Sequence, residues 1–173
     1  MNRLVRKLAE GDMRSKGRSE QIVKDVLRKP MLFPELVDAL DTAHPGVRMR
    51  ASDAIEKITR QRPELLQPFK RKITRLLTAC DQQEVRWHLA QIVPRLRLTE
   101  KERERIFVAL EAYLEDKSSI VRTFAMQAMA DLAESDPAYQ SRAVRVMKTA
   151  LKSGTPAMQS RARKLLAQIN KIQ

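Results

Sequence analysis

The sequence predicts an all-α chain of about ten helices, stacked as helix–turn–helix units into an α-solenoid, an α–α superhelix. Three observations predict it. Only 4 Gly and 4% aromatic residues, with long Ala/Leu/Arg/Lys/Glu/Gln stretches, favour helix over sheet. Rows of the chain align with one another at spacings of 38, 36 and 37 residues, a period in the solenoid range. Within each row the apolar residues recur at the spacing of one helix face.

Three rows open on Val-Arg: VRMRASDAIEKI from Val47, VRWHLAQIVPRL from Val85 and VRTFAMQAMADL from Val121. A weaker fourth, MQSRARKLLAQI, starts at Met158. Down the columns the first position reads Val47, Val85, Val121 and Met158, the fifth Ala51, Leu89, Ala125 and Ala162, and the eighth Ala54, Ile92, Ala128 and Leu165. The ninth reads Ile55, Val93, Met129 and Leu166, and the twelfth Ile58, Leu96, Leu132 and Ile169. These offsets form one face of a 3.6-residue helix. They place helices over about 47–60, 85–97, 121–134 and 157–171, the second helix of each unit.

A first helix precedes each of these, marked by Leu36-Val37-Leu40, Ile73-Leu76-Leu77, Ile106-Phe107-Leu110-Leu114 and Val144-Met147-Leu151. Local chemistry marks several starts. Thr99 followed by Glu102 fits a capping box. Asp136-Pro137 and Thr155-Pro156 each set a capping side chain before a proline whose missing N–H costs nothing at the first helical position. Neither helix of a unit can bury its stripe alone, so stacked units share one core and residues 1–173 form a single domain. Residues 1–30, with Ile22, Val23, Val26 and Leu27 as a stripe, are expected to form a degenerate N-terminal repeat or cap.

The Asp, then Val-Arg-x-x-Ala-x-x-x-Leu cadence resembles the HEAT repeat family over roughly residues 31–173. The fourth row departs from it, with Gln159 where Arg is expected and no preceding Asp. The resemblance implies a structural ladder in which an Asp of one turn meets an Arg of a neighbouring second helix. Asp41, Asp81 and Asp116 with Arg48, Arg86 and Arg122 match those positions. It also implies that the second helices line a concave groove.

Trp87, the sole tryptophan, lies at offset 2, near 200° on a helical wheel whose core offsets average near 20°. Met49, Thr123 and Ser160 share its column, and Asp53, Gln91, Gln127 and Lys164 occupy offset 6 nearby. By resemblance this stripe faces the groove, with Arg50, Arg95 and Arg161 beside it. The candidate binding residues are therefore Trp87, Gln91, Met49, Asp53, Arg50, Arg95, Gln127 and Lys164. His88, at offset 3, sits at the core boundary. Pro94, on the same stripe as Trp87, removes one helical hydrogen bond, frees the Ala90 carbonyl, and bends the helix or ends it early.

Charge is unevenly placed. Residues 1–30 carry 9 basic and 4 acidic groups, residues 31–136 carry 17 of each, and residues 137–173 carry 8 basic and none acidic. Such ends suit nucleic acid, anionic lipid or an acidic partner. The longest apolar run is IFVAL, from Ile106, so membrane insertion is not expected, and Leu4-Val5-Leu8 with Arg3, Arg6 and Lys7 is the only hint of a membrane-surface role. The lone Cys80 excludes a disulfide framework, and a cytoplasmic setting is expected.

No metal, cofactor or catalytic site is expected. His44, His88 and Cys80 cannot make a Cys/His zinc site in one chain, and no phosphate loop or nucleophile elbow occurs. Glu100, Glu102, Glu104 and Glu115-Asp116 read as capping and solvated faces. The expected function is a non-catalytic scaffold presenting its groove to a protein or peptide partner, with Trp87 as the anchor. The alternative is nucleic-acid binding through the basic ends and the groove Trp and Arg residues. A remote third is base excision: alkylpurine DNA glycosylases built on HEAT-like repeats are similar in their aromatic, basic cleft, but Gln91 stands here where an acid would be needed.

Overall fold

Prolines and capping side chains set where the helices begin. The Thr99 hydroxyl accepts from the Glu102 amide at 3.3 Å while the Glu102 carboxylate accepts from the Thr99 amide at 2.9 Å, completing the expected capping box. Asp136 accepts from the Ala138 amide at 3.0 Å ahead of Pro137, and Thr155 accepts from the Met158 amide at 3.4 Å ahead of Pro156. His44, before Pro45, caps in the same way by accepting from the Val47 amide.

A computed structural model describes residues 3–10, 19–134 and 136–172. Among the described residues the fold is helical without strands. The α-helices are α1 Arg3–Ala9, α2 Ser19–Arg28, α3 Phe33–Asp38, α4 Pro45–Gln61, α5 Lys70–Ala79, α6 Gln83–Ile92, α7 Glu100–Tyr113, α8 Ser119–Glu134, α9 Pro137–Ser153 and α10 Pro156–Ile172. No described helix is long and apolar enough to cross a membrane. α6 is shorter than its column predicts. Its regular turns stop at Ile92, and Val93–Arg95 closes it as a 3-10 turn because Pro94 supplies no N–H to continue the ladder.

The apolar columns are buried almost without exception. Ala51, Leu89, Ala125 and Ala162 are fully enclosed, and the columns of Val47 and Ile58 stay below 9% exposure along their length. Leu166 of α10 is the departure, being half-buried.

The chain divides into two compact units, Met1–Arg97 and Leu98–Gln173. In the first, α4 is the central helix, with α1, α2, α3 and α6 all packed on it. Leu4, Leu8, Ile22 and Val26 are buried there. Leu4 and Leu8 thus point into the protein, and the expected membrane-surface stripe is corrected: its leucines cover α4.

In the second unit α7 and α8 form one hairpin and α9 and α10 another. Phe107 and Tyr139 pack at 4.9 Å between ring centroids, joining α7 to α9. The hydroxyls of Ser119 and Thr155, 2.7 Å apart, join the starts of α8 and α10. Gly154 ends α9 where the chain passes so close to the Ala150 carbonyl that a Cβ would collide with it.

Candidate functional site

α6 buries Val85, Leu89, Ala90 and Ile92 and turns Trp87 the other way, where it is half-buried. Its indole meets the adjacent His88 ring edge-on, with centroids 5.5 Å apart and planes at 66°. Gln91, one turn on, donates to the Trp87 carbonyl at 3.3 Å. On the neighbouring α4, Met49 is half-buried and Asp53 is bridged to Lys57 at 2.8 Å. The α4 and α6 members of the candidate set therefore belong to two packed helices of one unit. Gln127 and Lys164 belong to the second unit.

His88, in edge contact with the tryptophan, is itself half-buried. Burial pushes its imidazole down to a pKa of about 4, although Asp53 and Glu56 pull the other way, so the ring is neutral above that pH. Its Nδ1 is buried without a hydrogen-bond partner among the described residues.

Two of the arginines expected in the groove are elsewhere. Arg50 is 1% exposed and donates to the Leu8 carbonyl at 2.7 Å, tying α1 to α4. Its long aliphatic stem lets it occupy a core-boundary position while the guanidinium finds a backbone acceptor. Arg95 is held by Glu56 of α4 at 2.5 Å and by the Thr59 hydroxyl at 2.7 Å. Both are therefore structural, and the assignment of Arg50 and Arg95 to a ligand surface is corrected.

The ladder is also revised at its first rung. Asp41 accepts from Lys72 at 2.7 Å and Arg75 at 3.2 Å, both on α5, so it is occupied before Arg48 could reach it. Arg48 instead donates to Gln82 at 2.9 Å and to the Thr42 carbonyl at 2.9 Å. Gln82 in turn donates to the Pro45 carbonyl at 3.0 Å, so a glutamine stands where the ladder asks for an aspartate. Asp81 is exposed, Arg86 and Arg122 are half-buried, and Asp116 accepts from the Ser118 amide at 2.8 Å just ahead of α8.

In the second unit Gln127 is an internal bridge, donating to Asp131 at 2.7 Å and accepting from Arg161 at 2.6 Å. Arg161 also lies over the Phe124 ring at 5.7 Å. Lys164 is exposed. Among the described residues no group of three or more His, Cys, Asp or Glu stands close enough to hold a metal ion. Cys80 is half-buried, and burial raises its thiol pKa.

Two features escaped the sequence reading. One is the Glu56 cluster with Arg95 and Arg60, which joins residues 39 apart in the chain. The other is a row of cations on α9, Arg145, Lys148 and Lys152, spaced i, i+3, i+7 on the side away from the core. The signal for it in the sequence is the i, i+3, i+7 spacing of cations between the apolar positions of α9.

No protein-family model matches the chain, and no curated protein matches it. Among solved structures it is similar to the crystal structure of an engineered protein, a Northeast Structural Genomics Consortium target, at 20% identity and a TM-score of 0.63. The match covers 97% of this chain and 78% of that one, and it shows a shared helical architecture.

Proposed function

We propose that the chain is a HEAT-like α-solenoid acting as a non-catalytic binding module, and that the α4/α6 face centred on Trp87 takes a protein or peptide segment. The observation that carries this reading is the half-buried Trp87 on a face whose nearby arginines are committed to internal bonds. A surface of Trp87, Met49 and Gln91 beside a neutralised Asp53–Lys57 pair has little field for a polyanion and suits an aromatic hot spot. The buried apolar columns at solenoid period support the HEAT-like architecture.

The test is affinity capture from a nuclease-treated lysate, followed by calorimetry on the captured partner. Trp87→Ala should weaken binding by about 2 kcal/mol or more while the melting temperature hardly moves. A loss of stability with binding intact would make Trp87 a packing residue and end this reading.

A further inference from the structure

We propose that the outward face of α9 binds duplex nucleic acid through the phosphate backbone, without base readout. Tyr139, Ala143, Met147 and Ala150 bury one side of α9 in the second unit. At about 100° per residue, Arg145, Lys148 and Lys152 fall within about 60° of one another on the opposite side. All three are exposed, and none has a hydrogen bond or ion pair among the described residues. With Ser141 and Thr149 they line an open recess of about 420 Å³.

What distinguishes this stripe is that three cations without an ion pair among the described residues share one side of one helix. Arg142, on a different side of the same helix, is held by Glu104 at 2.8 Å and Glu111 at 3.0 Å. Residues 137–173 contain 8 basic groups and no acid, so no partner for the stripe exists on its own helix or on α10. Three like charges within about 10 Å along a helix axis repel one another, and a ligand charge would relieve that repulsion.

Lysine, arginine and hydroxyl side chains are the groups that contact nucleic-acid phosphates. A protein partner fits less well, because interface cores are apolar and depleted in lysine, and the only apolar side chain of this recess, Val144, is half-buried. A single strand would ask for an aromatic platform, and the one aromatic of α9, Tyr139, is buried. A membrane would ask for an exposed apolar side, and that side of α9 is inside the protein.

Fluorescence anisotropy with a labelled mixed-sequence duplex of roughly 20 base pairs, at about 50 and about 200 mM salt, tests the proposal. The protein should bind at the lower salt and lose at least about tenfold in affinity at the higher. Combined Arg145→Gln, Lys148→Gln and Lys152→Gln should reduce the slope of log affinity against log salt by about 0.9 per phosphate contact removed. Combined Lys24→Gln, Arg71→Gln and Lys101→Gln, with the same change in net charge at exposed positions elsewhere, should retain most of the affinity. Lys148→Glu, a single exposed change, repeats the test with minimal risk to the fold, and circular dichroism checks each variant. The proposal is overturned by no binding at low salt, by equal loss in the control variant, or by tighter binding to the single strand. Binding to phosphatidylserine vesicles in place of the duplex also overturns it. Trp87→Ala should leave duplex affinity unchanged, which separates this surface from the one on α4 and α6.

Discussion

Arg95, in the 3-10 turn that closes α6, donates to the carboxylate of Glu56 on α4 at 2.5 Å, and their side chains are 19% and 4% exposed. Arg60 completes the cluster from the solvent side at 2.7 Å. Burial alone would raise the Glu56 pKa, and the hydrogen bonds from Arg95 and Arg60 more than reverse that, leaving it below the ordinary carboxylate range. Pro94 stands in the 3-10 turn that ends α6, and Arg95, the next residue, reaches Glu56 of α4 from that turn. The pair adds a charged link between the helices that carry Met49 and Trp87, which also pack through their buried apolar residues.

Arg95→Ala leaves the Glu56 charge buried with only Arg60 to answer it. Unfolding in urea should show a loss of about 3–5 kcal/mol. Adding Glu56→Met to Arg95→Ala should recover most of that, because an apolar pair of similar volume removes the uncompensated charge. Recovery of none of it would mean that Arg95 acts through its bonds to Thr59 and the Glu56 carbonyl rather than through the carboxylate.

Acid should destabilise the first unit through two groups. Glu56, depressed in the folded state, contributes stability that is present above its ordinary pKa and lost as pH falls through the folded value. His88, ordinarily near 6.5, is held down to about 4 by burial, so the unfolded chain binds the extra proton first. Its share of stability therefore declines as pH falls from about 6.5 and is fully lost near pH 4. Melting temperatures of wild type and His88→Phe between those limits should diverge, the variant showing the flatter curve. A parallel pair of curves would show that His88 titrates normally.

What could be read from the sequence was whatever depends on local periodicity. The columns of Val47, Ala51 and Ile58 are buried because a 3.6-residue repeat puts them on one side regardless of what lies opposite. The caps at Thr99, Asp136 and Thr155 were legible because their bonds close within three residues. Bonds between distant segments were not. Arg50 was assigned to the groove because a wheel places a side chain by its Cβ, while an arginine can run inward along its stem to the Leu8 carbonyl. Asp41 failed as a ladder residue for a competitive reason, since Lys72 and Arg75 of the adjacent helix are nearer.

Arg50 carries the next prediction. Its guanidinium, 1% exposed, donates to the Leu8 carbonyl at 2.7 Å and anchors the seven-residue α1 together with buried Leu4 and Leu8 and the Lys7–Asp25 bridge to α2 at 2.9 Å. Arg50→Ala should cost about 2–3 kcal/mol by leaving that carbonyl unsatisfied. Hydrogen exchange should localise the effect, with α1 amides losing protection before those of α4. Uniform loss over the whole unit would show that α1 and α4 open together.

Arg142 plays the corresponding part in the second unit, with a different chemistry. Its guanidinium lies 4.5 Å from the centroid of the Phe107 ring while its two ends take Glu104 and Glu111 of α7. A planar fork is needed to stack on the ring and bond two carboxylates together, and lysine offers neither plane nor fork. Arg142→Lys, which keeps the charge, should therefore lower stability by about 1–2 kcal/mol, most of it from the lost stacking and bidentate geometry rather than from salt-sensitive attraction. Added salt separates the two contributions. A deficit that persists at about 1 M salt belongs to the stacked fork, and one that vanishes there reduces Arg142 to an ordinary surface ion pair.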